Sequence, residues 1–312
     1  MWRGDLADLV VAHEAVLPRA HSYAYVDPGA EEWRLVVAAA RMARDGDPEA
    51  AAAALATVGY EVAAVCDLAC GGTHLLFRER PPRARCWGLY VLSLSVTAHD
   101  VVVEAPHPLH DRFTPEMAIE AYLRLDARAF LMAGAHRYAN GYASPASDMA
   151  RNPRSVFQGL HEALTGRATH VLQFHGFTVQ DHPGYPNVLL SNGSPEPHME
   201  LFALGAALEL QGETAGIYDG ATWTELTAVA NVQGRYTRSI GGRFYHMEYE
   251  AELRRDPARR SAVIEALVTA LFPASGRASG EMPPINRARE ARDGERAIPI
   301  LAAAGAADHS LA

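Results

Sequence analysis

The sequence predicts an α/β fold, a three-layer α/β/α arrangement around a mixed central sheet, preceded by a helical N-terminal segment. Three observations carry this. From residue 60 onward, apolar runs of strand length alternate with helical patterns. That alternation argues for a sheet sandwiched by helices, and it sets in where the helical texture of residues 1–59 ends. With 312 residues at 49% hydrophobic content, the chain is also long enough to bury a full core.

Residues 1–59 read as helical: LADLVVAHEAVL and EEWRLVVAAARMA are amphipathic, and DPEAAAAALATVG has Asp47 as N-cap, Pro48 at the first helical position and Gly59 as a stop. The texture changes at residue 60. YEVAAVC, THLLFRE, GLYVLSLSV, DVVVEA, ARAFLMAG, THVLQFHG, ETAGIYD and RFYHMEYE read as strands. TPEMAIEAYLRLDA, NPRSVFQGLHEALTG, SPEPHMELFALGAALELQG and ARRSAVIEALVTALF read as the helices between them. These place the main domain at residues 60–275. Residues 276–312 are poor in large apolar side chains and read as a flexible C-terminal tail.

Charge and composition exclude several function classes. The 28 basic and 37 acidic residues give a net charge of −9, with no basic block to follow a phosphate backbone, so nucleic acid is not an expected partner. No apolar run is long enough to span a membrane, and MWRGDLADLV lacks the order of a signal peptide; the expected location is cytoplasmic. Three cysteines, Cys66, Cys70 and Cys86, are too few for a disulfide scaffold. No second pair completes a Cys-rich metal site around Cys66 and Cys70. CGGTH lacks the remaining residues of a phosphate-binding loop and reads as a hairpin turn, and DHPG at 181–184 as a turn with a solvated His182.

In α/β sheets, ligands bind beyond the carboxyl ends of strands. There the chain places His107, His110 and Asp111 after DVVVEA, His136 and Arg137 after ARAFLMAG, and His175 at the end of THVLQFHGF. Two residues from one loop and one from a remote strand are what a catalytic zinc site needs, with a fourth position left for water. The ligand candidates are therefore His107, Asp111 and His175, with His110 as the competitor of Asp111.

HPLHDRFT at 107–114, QFHGF at 173–177 and FYHMEYE at 244–250 together resemble the metal and catalytic motifs of the zinc carboxypeptidase-like amidohydrolases, in particular relatives of poly-γ-glutamate hydrolases and N-formylglutamate amidohydrolases. The resemblance runs from His107 to Glu248. It implies a carboxypeptidase-like core, one zinc ion held by His107, Asp111 and His175, and Glu248 as the general base. The usual carboxylate of such sites stands three residues after the His, where this chain has His110; Thr114 favours Asp111. The strand period places His246, Glu248 and Glu250 on one face of FYHMEYE, which reads either as a solvated cleft or as a charged edge strand.

Arg137 would hold a substrate carboxylate or stabilise the oxyanion, with Asn140 and Asp148 as neighbours. Asn231 and Arg235 in NVQGR form a second polar cluster expected to line the pocket. The expected function is hydrolysis of a C–N amide bond (peptide, γ-glutamyl or N-acyl amino acid) in a small-molecule or peptide substrate, by metal-activated water. Manganese, iron or nickel would suit the same ligands as zinc. The alternatives are a non-haem iron oxygenase with a two-His-one-carboxylate site and a non-catalytic metal- or ligand-binding protein.

Overall fold

Buried apolar runs pair into a ten-stranded sheet in the computed structural model, which describes residues 2–82 and 85–272. The strands are β1 (Trp2–Gly4), β2 (Tyr60–Asp67), β3 (Thr73–Glu79), β4 (Leu89–Ser93), β5 (His99–Ala105), β6 (Ala127–Met132), β7 (His170–Phe177), β8 (Val188–Ser191), β9 (Ala215–Ile217) and β10 (Arg243–Glu250). Their order across the sheet is β1-β2-β3-β4-β6-β5-β7-β10-β8-β9. The centre, β6-β5-β7-β10, is parallel, while β2-β3-β4-β6 and β10-β8 are antiparallel. The sheet is therefore mixed. The CGGTH segment closes the β2–β3 hairpin, Asp67 N–H donating to the Gly72 carbonyl.

The helices are α1 (Leu6–Glu14), α2 (Ala30–Arg44), α3 (Pro48–Ala56), α4 (Thr114–Arg124), α5 (Val156–Leu164), α6 (Met199–Leu210), α7 (Val232–Ser239), α8 (Ala251–Arg255) and α9 (Pro257–Leu271). Side chains alternate across the sheet and divide the core in two. One half packs Val103, Phe174 and Met247 against α1, α4, α6 and α9. The other packs Val102, Val171 and Phe244 against α2, α3 and α5. This is the three-layer α/β/α arrangement. The N-terminal segment also supplies β1, which adds to the edge of the sheet parallel to β2. The side chain of Asp67 accepts from the Leu6 backbone N–H at 2.8 Å and so ties α1 to the end of β2. The tail at residues 276–312 lies outside the described residues.

Three features position the site. β5, β7 and β10 are adjacent, parallel and interior, so their carboxyl ends come together. β10 lies between β7 and β8 and is not an edge strand. Its register pairs His246 with Gln173 and Glu248 with His175, which puts these four side chains on the same face as Val102, Val171 and Phe244.

Candidate metal centre

The segment after β5 explains how two of the candidate residues meet. Asp111 N–H donates to the His107 carbonyl at 2.9 Å, closing one helical turn, and residues four apart on such a turn lie side by side. Thr114 locks the turn from below, its hydroxyl donating to the Asp111 carbonyl at 2.7 Å. Phe113 between them has φ +72°, an unfavourable conformation for an aromatic residue, with its ring near the guanidinium groups of Arg112 and Arg260. His110 points elsewhere, packing edge-on to His136 and Tyr138 with centroids 5.3 and 5.2 Å away.

His107, Asp111 and His175 converge although 64 residues separate Asp111 from His175. Nδ1 of each histidine lies 3.2 Å from the same oxygen, Asp111 Oδ2. Each Nε2 is turned outward to an acceptor: His107 donates to Asp148 Oδ1 at 2.8 Å, and His175 to Gln173 Oε1 at 2.8 Å. Two imidazole nitrogens and a carboxylate oxygen thus face one another, with the opposite edges of both rings anchored. Metal-binding histidines are normally held this way.

On the neighbouring strand, His246 and Glu248 stand beside His175; the His175 and His246 rings are 4.3 Å apart, and His246 Nε2 is 3.6 Å from Glu248 Oε1. Among the described residues, two groups have ligand atoms close enough to share an ion: His107, Asp111 and His175, and His175, His246 and Glu248. Asp111 Oδ1, His246 Nδ1 and Glu248 Oε2 are buried without a hydrogen-bond partner in the protein. Three unsatisfied polar atoms in one place are costly in an otherwise dry interior, and the His and carboxylate donor set suits zinc. The residues present therefore fit a metal ion.

The electrostatics follow from burial and this geometry. Burial pushes the Asp111 carboxyl up, but the His107 and His175 rings beside it outweigh that and hold the group well below the usual range. Burial and neighbouring His107 bring His175 down to about 4, against the opposing pull of Asp111, so its ring is neutral near pH 7. Burial and His175 depress His246 further. Glu248 moves the other way: burial and the Asp111 charge raise it well above the usual carboxylate range.

Arg137 donates from Nη2 to Asp148 Oδ2 at 2.6 Å, so Asp148 bridges the guanidinium and the His107 ring. Arg137 keeps a partly exposed side chain, 21% accessible, and its Nε has no partner in the protein. Asn140 faces the N-terminal segment, its amide donating to the Tyr25 carbonyl at 2.9 Å. Asn231 is the N-cap of α7, its Oδ1 accepting from Gly234 N–H at 2.9 Å, and its amide donates to Gln173 Oε1 at 2.6 Å. Arg235 is exposed and donates to the Val229 carbonyl. Glu250 caps α8, its Oε2 accepting from Glu252 N–H at 2.5 Å and Leu253 N–H at 3.2 Å. His182 sits in a turn, 3.0 Å from Glu225. Among the described residues, Cys66, Cys70 and Cys86 form no disulfide.

One contributor carried no local signal, Arg254, while Gln173 was legible only as the first letter of the QFHGF motif. The Arg254 guanidinium donates to the carbonyls of Tyr249, Arg112 and Phe177 at 2.9, 2.6 and 3.1 Å. It thereby clamps together the segments carrying Glu248, Asp111 and His175.

No known protein family matches the sequence, and no curated protein does. Solved structures do show a likeness. N-formylglutamate amidohydrolase from Ralstonia eutropha JMP134 is 14% identical, with 58% of this chain and 95% of that one covered and a TM-score of 0.39. A metallo-carboxypeptidase from Burkholderia cenocepacia is 14% identical, with 71% and 68% covered and a TM-score of 0.37. At these values they are likenesses only, and the functional reading rests on the side chains described above.

Proposed function

We propose that this chain is a metal-dependent hydrolase of C–N amide bonds, acting on a small N-acyl or peptide substrate that bears a carboxylate. The observation that carries the reading is the pairing of an inward-facing His107, Asp111 and His175 set with a buried carboxylate on the adjacent strand, Glu248, whose Oε2 has no hydrogen-bond partner in the protein. A hydrolase needs both; a metal-storage site or an oxygenase needs only the first.

His107, Asp111 and His175 would hold the ion, zinc by the character of the donors. The chemistry an ion supplies there is polarisation of the substrate carbonyl and acidification of water. Glu248 would receive the proton of the attacking water and deliver it to the leaving nitrogen, its unpartnered Oε2 being free to accept it. Asp148 keeps the His107 ring in place and orients Arg137. With its charge secured by Asp148 and part of its fork unused, Arg137 would receive the substrate carboxylate or the oxyanion. Asn140 and Arg235 lie at the edges of this reading as substrate contacts, and Asn231 supports it from behind Gln173.

The test is turnover of zinc-loaded protein on a panel of N-acyl amino acids, γ-glutamyl peptides and short peptides, followed by amine release. Glu248→Gln is expected to fold, retain metal and lose on the order of 10²-fold or more in rate. Oxygen-dependent turnover with iron, or an active Glu248→Gln variant, would overturn the hydrolase reading.

A further inference from the structure

Behind His175 lies a network of buried amides whose orientations are fixed by the backbone. Gln173, Gln233 and Glu104 have no accessible surface, and Asn231 has 5%. A backbone N–H can only donate, so Gly234 N–H fixes Asn231 with Oδ1 toward the helix and its amide nitrogen toward Gln173, 2.6 Å away. A backbone carbonyl can only accept, so the Met149 carbonyl fixes Gln233 with its amide nitrogen outward, 2.9 Å away, and Oε1 toward Gln173. Glu104 presents a second acceptor, Oε2, to the same side of Gln173 at 2.9 Å, while its Oε1 accepts from His161 Nδ1 at 2.7 Å.

Gln173 therefore has one allowed orientation. Its amide nitrogen faces two acceptors and its oxygen faces the Asn231 donor. Turning it over would set oxygen against oxygen at Glu104 and Gln233 and nitrogen against nitrogen at Asn231. That leaves Oε1 as the only group offered to His175 Nε2, at 2.8 Å.

We infer that Asn231, Gln173, Gln233 and Glu104 form a relay of positioning residues that sets the tautomer of His175, placing its proton on Nε2 and keeping the Nδ1 lone pair turned toward Asp111. The relay runs from the first turn of α7 and the end of β5 to the candidate metal centre. It gives a buried carboxylate, three hydrogen bonds from Asp111, a role in a site it never touches. Without it, Nδ1–H donation to Asp111 Oδ2 is the better choice for the ring, because an ionised carboxylate is a stronger acceptor than anything else near it. A proton on Nδ1 would have to leave before that atom could ligate. The consequence for an ion rests on the function proposed above; the tautomer does not.

Long-range proton–nitrogen NMR of the histidine rings in the chelator-stripped, full-length chain reads the tautomer directly, and zinc titration against a competing chelator reads the consequence. The native chain should show His175 protonated on Nε2. Gln173→Leu should move the proton to Nδ1 and weaken zinc binding about 10–100-fold. Asn231→Ser, which retains an N-cap hydroxyl for α7 and loses the amide donor, is the milder variant if Gln173→Leu does not fold; it should populate the Nδ1 tautomer in part. A native ring protonated on Nδ1 would overturn the inference, as would an unchanged Nε2 tautomer in the folded variants. Absence of zinc uptake by the native chain would count against the metal reading, with the NMR result still deciding the tautomer.

Discussion

Gly176→Ala should be among the most damaging single-methyl additions in this protein. Gly176 follows His175 on β7, and a Cβ placed there would lie 2.3 Å from Arg254 Cζ and 2.3 Å from its Nε. The guanidinium cannot step aside cheaply, because Arg254 is 5% exposed and committed to three backbone carbonyls. Forcing a methyl into such packing costs about 1–3 kcal/mol. Breaking one of the charged hydrogen bonds adds about 1.5–3 kcal/mol. The total of about 3–6 kcal/mol corresponds to a fall in Tm of roughly 10–20 °C for a domain of this size. Thermal and urea unfolding with chelator present would measure it free of any ion. Arg254→Met should also destabilise, by removing the clamp, and the double variant should be less damaged than the two single costs together, since the methyl no longer meets a guanidinium. Loss of less than about 1 kcal/mol in Gly176→Ala, or strict additivity in the cycle, would refute the clamp.

Glu250→Gln tests strand register from the other side: because Glu250 caps α8, it should lower stability by about 1 kcal/mol and leave turnover and metal content near native, checked by unfolding and metal analysis. Glu14 at the end of α1 is raised to about 8 by burial and by Glu116, against Arg112 and Arg19. A carboxyl raised in the folded state binds more protons there than when unfolded, so its contribution declines as pH rises from about 4.5 toward 8. Glu14→Gln should therefore flatten that decline and stabilise the protein above pH 8 by about 1–3 kcal/mol, discounted for partial exposure; an unchanged pH profile of Tm would refute it. Asp148→Asn should weaken zinc binding about 10–100-fold by loosening the His107 ring, read by chelator competition.

Much of the sheet was legible because parallel strands buried on both faces leave unbroken apolar runs; DVVVEA and THVLQFHG became β5 and β7 almost as they stand. β8 escaped because its four residues, VLLS, are crowded by Pro186, Asn187 and Gly193. α7 escaped because VQGRYTRS has no apolar stripe to mark a helix. Its N-cap, Asn231, was legible as polar but not as a cap, so it read as a pocket residue. His107, Asp111, His175 and Glu248 stood out because strand ends are where side chains converge. What joined them was invisible: the His107–Asp148 bond spans 41 residues and the Gln173–Glu104 bond 69. Contacts that long follow from strand order, and no local pattern encodes that order. The choice of Asp111 over His110 as partner of His107 likewise depends on the turn between them, which the letters HPLHD leave open.

The central claim is that His107, Asp111 and His175 hold a metal ion, and elemental analysis of the purified, untagged chain after dialysis tests it most directly. The account predicts about one equivalent of zinc per chain, lost in His107→Ala and in His175→Ala and largely retained in His110→Ala, whose ring packs on His136 and Tyr138. Full metal content in both His107→Ala and His175→Ala would contradict it.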